Sequence, residues 1–142
     1  MTSLLLPQQR PLKLRKPKTT SLAFECVYLA SFERDFNIAA QLLGPAGIRL
    51  HRAAILDQAD FLLTVTGSGV LLSEFEFLDG SWKDASDMLS RCHPEVALVV
   101  SANQSDERFP IEILERGAHG LILKPFQADE LRRILANAQR QC

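Results

Sequence analysis

Residues 96–126 read "VALVVSANQSDERFPIEILERGAHGLILKPF". The first seven form an unbroken apolar run, as a strand covered on both faces requires. A helix-sized stretch follows near 106–116, with Pro110 in its early turns. "HGLILK" (119–124) is then a second apolar strand. Strand, helix and strand within about thirty residues make a βαβ unit, two parallel strands joined by a crossover. As the most apolar strand of the chain, VALVVSA is expected at the centre of the sheet.

The same alternation extends N-terminally. "LAFECVYLA" (22–30) is a strand, and the helix after it places Phe36, Ala39, Ala40 and Leu43 on one face before Gly44-Pro45 stops it. "IRLHRAA" (48–54) is a more polar strand, suited to an edge. The helix at 56–66 repeats the spacing at Ala59, Leu62, Leu63 and Thr66, and Gly67-Ser68-Gly69 ends it. A third strand, Val70 to Ser73, leads through a loop turning on Asp79-Gly80 to a helix with Ala85, Met88, Leu89 and Cys92 on one side. Ser81 and Asp84 stand before that helix in capping-box order, and His93-Pro94 closes it. The last helix carries Leu131, Ile134, Leu135 and Ala138. Five βα units predict a single α/β domain, a doubly wound, five-stranded parallel sheet of flavodoxin-like type with strand order 2-1-3-4-5. Such sheets work at the carboxyl ends of their strands. The candidate positions are therefore Ala30-Ser31, Glu74, Ser101-Ala102 and Lys124.

Composition sets the class. The chain has 142 residues, 46% hydrophobic and 23% charged, ordinary for a water-soluble domain. No apolar run approaches the ~20 residues that span a bilayer. Leu4-Leu5-Leu6 is cut short by Pro7, too early for a secretion signal, so a cytoplasmic protein is expected. Three widely spaced cysteines (Cys26, Cys92, Cys142) form no metal pattern with His51, His93 or His119. Two buried thiols and one at a frayed terminus are the expectation.

Residues 1–20 carry Arg10, Lys13, Arg15, Lys16 and Lys18 and no acid, a charge of +5 that leaves −6 on the rest of a chain whose net charge is −1. With Pro7, Pro11 and Pro17 and no helical period, this stretch reads as a flexible basic arm ahead of a domain at 21–142. A solubilising tail is the plain reading. Electrostatic contact with nucleic acid, a membrane or an acidic partner is the other.

The strand ends carry a resemblance. Ser101 closing the fourth strand, Gly117-Ala118 before the fifth and Lys124-Pro125-Phe126 after it match, in order and spacing, the second half of a response-regulator receiver domain. The resemblance covers about residues 21–140. It implies a cis bond at Lys124-Pro125, a phosphoacceptor aspartate at the end of strand 3, and Mg²⁺ held by that residue with an acidic pair at the end of strand 1. Counting back from Asp79-Gly80 puts Glu74 at the acceptor position. A register with Ser73 would need an extra loop residue. The acidic pair aligns with Ala30 and Ser31, and neither is a carboxylate. Glu33 and Asp35 come later, in the loop or first helical turn, from where they could swing back, but their spacing does not place them as direct ligands. Leu121 matches the aromatic whose rotamer changes on activation.

Two of three carboxylates are thus missing and the acceptor is one methylene longer. The reading is a degenerate, stand-alone receiver of two-component or phosphorelay signalling, not an enzyme, with no cofactor, Mg²⁺ included. Because the chain ends soon after the fifth helix, no effector domain is expected. Partners are signalling proteins reached through the face of helix 4, strand 5 and helix 5, where Arg116, His119, Arg132 and Arg133 are candidate surface positions, or a second copy in a homodimer. Glu74 either mimics the phosphorylated state by reaching toward Lys124 and Ser101, or forms a structural ion pair with Lys124. Trp82 is expected to be a partly exposed packing residue. Three other readings stand beside this one. A phosphorylatable receiver with an unusual acceptor predicts Mg²⁺ dependence. A flavodoxin-like nucleotide or small-molecule binder predicts a tightly bound ligand, against which the missing Gly-rich fingerprint counts. An arm-driven nucleic-acid binder predicts affinity falling steeply with salt.

Overall fold

A computed structural model describes residues 23–103 and 110–140; the basic segment 1–20, the start of the helix expected from 106 and Cys142 lie outside the described residues. The long strands are β1 (Phe24–Leu29), β2 (Ile48–Ala53), β3 (Val70–Glu74), β6 (Ala97–Ala102) and β7 (Gly120–Leu123). They form one parallel sheet in the order β2-β1-β3-β6-β7, the doubly wound arrangement expected from the alternation. β2 is an edge strand, as its polarity suggested. β6 is interior but not the middle strand: β3 holds that place, and both are buried at every residue.

The helices are α1 (Glu33–Leu43), α2 (Leu56–Thr66), α3 (Trp82–Cys92), α4 (Pro110–Glu115) and α5 (Ala128–Arg140). They cover both sheet faces because strand side chains alternate with period two. One core joins Val27, Leu29, Leu71, Leu98 and Val100 to Ala59 and Leu63 of α2 and Ala85, Met88 and Leu89 of α3. The other joins Tyr28, Leu72, Val99 and Ile122 to Ala39 and Leu43 of α1 and Leu131 and Leu135 of α5. α2 ends on Gly67 at φ 67°, a left-handed cap that a β-carbon would disfavour.

The loop after β3 is more ordered than its sequence suggested. Glu76–Phe77 (β4) and Gly80–Ser81 (β5) pair in a small antiparallel hairpin whose turn is Leu78-Asp79. It delivers Ser81 to the start of α3, where the capping box with Asp84 forms. The Asp79 carboxylate accepts from the Leu56 N–H at 3.2 Å, satisfying a free donor in the first turn of α2.

Three expectations are corrected here. Trp82 is 2% exposed, because the hairpin and the flanking Lys83 and Arg116 side chains, 5.9 and 5.7 Å from its ring centroid, enclose it. Cys92 is exposed at the end of α3, leaving Cys26 as the buried thiol among the described residues. Arg132 is half-buried, its Nε donating to the Leu42 carbonyl at 2.9 Å, so it ties α5 to α1 instead of standing free at the surface.

Candidate functional site

The strands' carboxyl ends converge on Glu74. Its backbone lies opposite Ser101 in the β3–β6 ladder, and Tyr28 lies opposite Leu72 in the β1–β3 ladder. Leu72 and Glu74 are two residues apart, so period two puts Tyr28, Glu74 and Ser101 on the same sheet face. Ser73 points to the other face, its hydroxyl bonded to the Glu74 carbonyl at 2.9 Å. The count that chose Glu74 over Ser73 therefore selects the residue whose side chain enters the cluster.

Every Glu74 oxygen has a partner. The Tyr28 hydroxyl donates a short hydrogen bond to Oε2, the Ser101 hydroxyl donates to the same oxygen at 3.2 Å, and Lys124 Nζ donates to Oε1 at 2.8 Å. Lys124, just beyond β7, also bonds Asp35 Oδ2 at 3.0 Å, so one ammonium sits between two carboxylates. The side chains are 8% exposed at Glu74, 16% at Lys124 and 24% at Asp35. Charge-assisted bonds this dry are stronger than their surface counterparts. Burial, and then the negative charge of Glu74, hold the Tyr28 phenol protonated far above its ordinary range. Its ring is braced by Phe36 and Phe126, with centroids 6.5 and 6.2 Å away.

The expected positions separate into two groups. Glu74, Ser101 and Lys124 meet. Ala30 is fully buried, and Ser31 at the start of the α1 loop offers its carbonyl to Arg52 at 3.0 Å. Leu121, paired with Val100, packs half-buried against the α2–α3 core on the opposite face from Tyr28. Two members escaped the sequence reading. Asp35 was set aside by spacing, yet the first turn of α1 turns it back onto Lys124, whereas Glu33 remains exposed. Tyr28 looked like one more apolar strand residue, and only strand parity could have flagged it. Asp79 is occupied at α2, away from this cluster.

Above the cluster opens a cavity of about 270 Å³ lined by Phe32, Asp35, Glu74, Glu76, Asn103 and Lys124 among others. Among the described residues, no three His, Cys, Asp or Glu side chains gather as a metal would require. Cys26 lies in the core with its thiol pushed up to about 12 by burial, so it is no nucleophile. Among the described residues no helix is long and apolar enough to cross a membrane. The Lys124–Pro125 bond is cis, as the resemblance implied.

Comparison with solved structures returns receiver domains. The response regulator receiver domain protein from Clostridium thermocellum superposes with a TM-score of 0.75 at 17% identity, over 83% of this chain and 95% of that one. The receiver domain of NtrX from Brucella abortus gives 0.72 at 20% identity, over 83% and 99%. A longer NtrX chain from the same organism gives 0.74 at 18% identity, over 83% of this chain and 27% of that one. These likenesses show the receiver fold. No protein-family model matches the chain, and no curated protein matches it in sequence.

Proposed function

We propose that the chain is an atypical receiver domain of bacterial-type two-component signalling, with Glu74 at the phosphoacceptor position, that acts through protein–protein contacts and takes no phosphoryl group by the usual route. The receiver fold supports the signalling class. The observation that carries the atypical part is the Lys124 ammonium between Glu74 and Asp35.

Mg²⁺ demands several hard oxygen donors in near-octahedral array. At the ends of β1 and β3 this chain offers Ala30, Ser31 and Glu74, and both Glu74 oxygens already accept hydrogen bonds. Asp35, the other carboxylate in the cluster, is bonded to the same lysine. On this reading the residues present do not fit a Mg²⁺ centre, and Lys124 is the cation of the site. A carboxylate that accepts three hydrogen bonds is also a weakened nucleophile, since attack would have to break them. Glu74 touches both Ser101 and Lys124, so the site is held in one state. Output then passes through the surface of α4, β7 and α5, where Arg116, His119 and Arg133 are exposed and Leu114 is 50% exposed.

Intact mass after incubation with a small phosphodonor, with and without Mg²⁺, tests this reading. No added phosphoryl mass in either condition is expected. A Mg²⁺-dependent gain of one phosphoryl group, lost in Glu74→Gln, would overturn it.

A further inference from the structure

Another cavity lies at the opposite end of the sheet from Glu74, where α3 faces the turn between α4 and β7. Its volume of about 330 Å³ is at the low end of the roughly 300–1,000 Å³ of small-molecule sites. Leu89, Val96 and Leu98, buried beside the amino end of β6, form an apolar floor. Ser86 and Ser90, one turn apart on α3, stand on one side, and Arg116 and His119 line the other. Gly117, at φ 97°, turns the chain between those two.

Arg116 is placed by its neighbour. Its guanidinium carbon lies 5.7 Å from the centroid of the buried Trp82 ring, within cation–π range. Glu112, one turn before it, is paired with Lys83 at 3.3 Å. Among the described residues, the Ser86, Ser90, Arg116 and His119 side chains have no hydrogen-bond or ion-pair partner in the protein. Nor does any carboxylate among the described residues line the cavity. The cavity above Glu74 is the reverse, with Asp35, Glu74 and Glu76 against one lysine.

We propose that the α3–α4 cavity binds a small molecule that carries an oxyanion, a carboxylate or a phosphate, on a compact apolar body. The guanidinium fork takes such a group through two parallel N–H bonds. The two serine hydroxyls and the His119 ring N–H supply further donors, and the apolar body covers Leu89, Val96 and Leu98. An opening of this size is far short of the roughly 800 Å² per partner that a stable protein interface buries.

The test titrates the ¹⁵N-labelled full chain at fixed ionic strength with phenyl phosphate, benzoate, inorganic phosphate and phenol. Saturable amide shifts confined to residues 86–98 and 116–120 are expected with phenyl phosphate or benzoate, and the tighter of the two identifies the oxyanion. Inorganic phosphate, which lacks the body, and phenol, which lacks the charge, should each bind at least about fivefold more weakly. Arg116→Gln should weaken binding about tenfold or more, the effect of one lost charge-assisted hydrogen bond. Ser90→Asp, which adds a repelling charge at an exposed helical position, should weaken it at least as much. Arg133→Gln, exposed on α5 and outside the cavity, should leave binding unchanged. Absent saturation, shifts spread evenly over exposed basic positions, shifts centred on Glu74, equal binding of all four probes, or binding that survives Arg116→Gln would each overturn the proposal. Unmoved amides in β1, β2 and β3 verify that each variant is folded.

Discussion

Lys124→Met is the most informative single perturbation of this molecule. It keeps the aliphatic stem and deletes two charge-assisted hydrogen bonds, at 2.8 Å to Glu74 and 3.0 Å to Asp35. Asp35, at 24% exposure, takes up water in exchange more readily than Glu74, at 8%. Breaking a buried pair by removing one partner costs about 3–5 kcal/mol, because the remaining charge is stranded. Here the Tyr28 and Ser101 hydroxyls still bond Oε2, and Lys124 was itself partly wet, so a loss of about 2–4 kcal/mol is expected. Adding Glu74→Gln to Lys124→Met removes the stranded charge and should restore part of that loss, on the order of 1 kcal/mol or more. Urea unfolding at neutral pH, followed by the fluorescence of the chain's one tryptophan, measures both variants. If Lys124→Met costs less than about 1 kcal/mol, or the second substitution deepens the loss, the buried-pair reasoning is wrong.

Tyr28 is the only tyrosine of the chain, so tyrosinate absorbance reports it alone. Its folded pKa is raised, so the unfolded chain releases that proton first; stability is intact below the ordinary value of 10.0 and falls above it, by about 1.4 kcal/mol per pH unit. Tyrosinate should appear only together with unfolding, and its appearance in protein still folded by Trp82 fluorescence would contradict the buried bond to Glu74. Cys26, raised from 9.0 to about 12, opens the same alkaline loss earlier, so Cys26→Ala should flatten the stability profile between pH 9 and 10 in urea titrations at stepped pH. Tyr28→Phe leaves Oε2 with Ser101 alone and should cost about 1–2 kcal/mol in the same urea assay. Asp79→Ala should cost about 0.5–1 kcal/mol through the lost bond to the α2 amide and leave the phosphodonor mass result unchanged, which distinguishes a helix-capping role from an acceptor.

Local chemistry was legible wherever one residue's type settles its conformation. The Ser81–Asp84 capping box, the break at Gly67 and the edge character of Ile48–Ala53 each depend on a few adjacent residues, and each formed as read. Burial was less legible near element ends. Trp82 opens α3 beside a charged run, which by pattern belongs at a surface, yet a hairpin folded back from β3 encloses it. Cys92 lies on the apolar side of the same helix, but that helix's last turn leaves the thiol exposed.

The sequence by itself determined the alternation of five strands and helices, and hence the parallel sheet, its handed crossovers and the end of it where charged side chains gather. Periodicity and turn residues act over a few positions, so they can be read along the chain. Only the tertiary structure decided that Glu74 is closed in by Tyr28, Ser101 and Lys124, and that Asp35 completes the cluster from α1. Those contacts join residues up to 89 positions apart. Strand register and helix docking bring them together, and neither is written in the spacing of neighbouring residues.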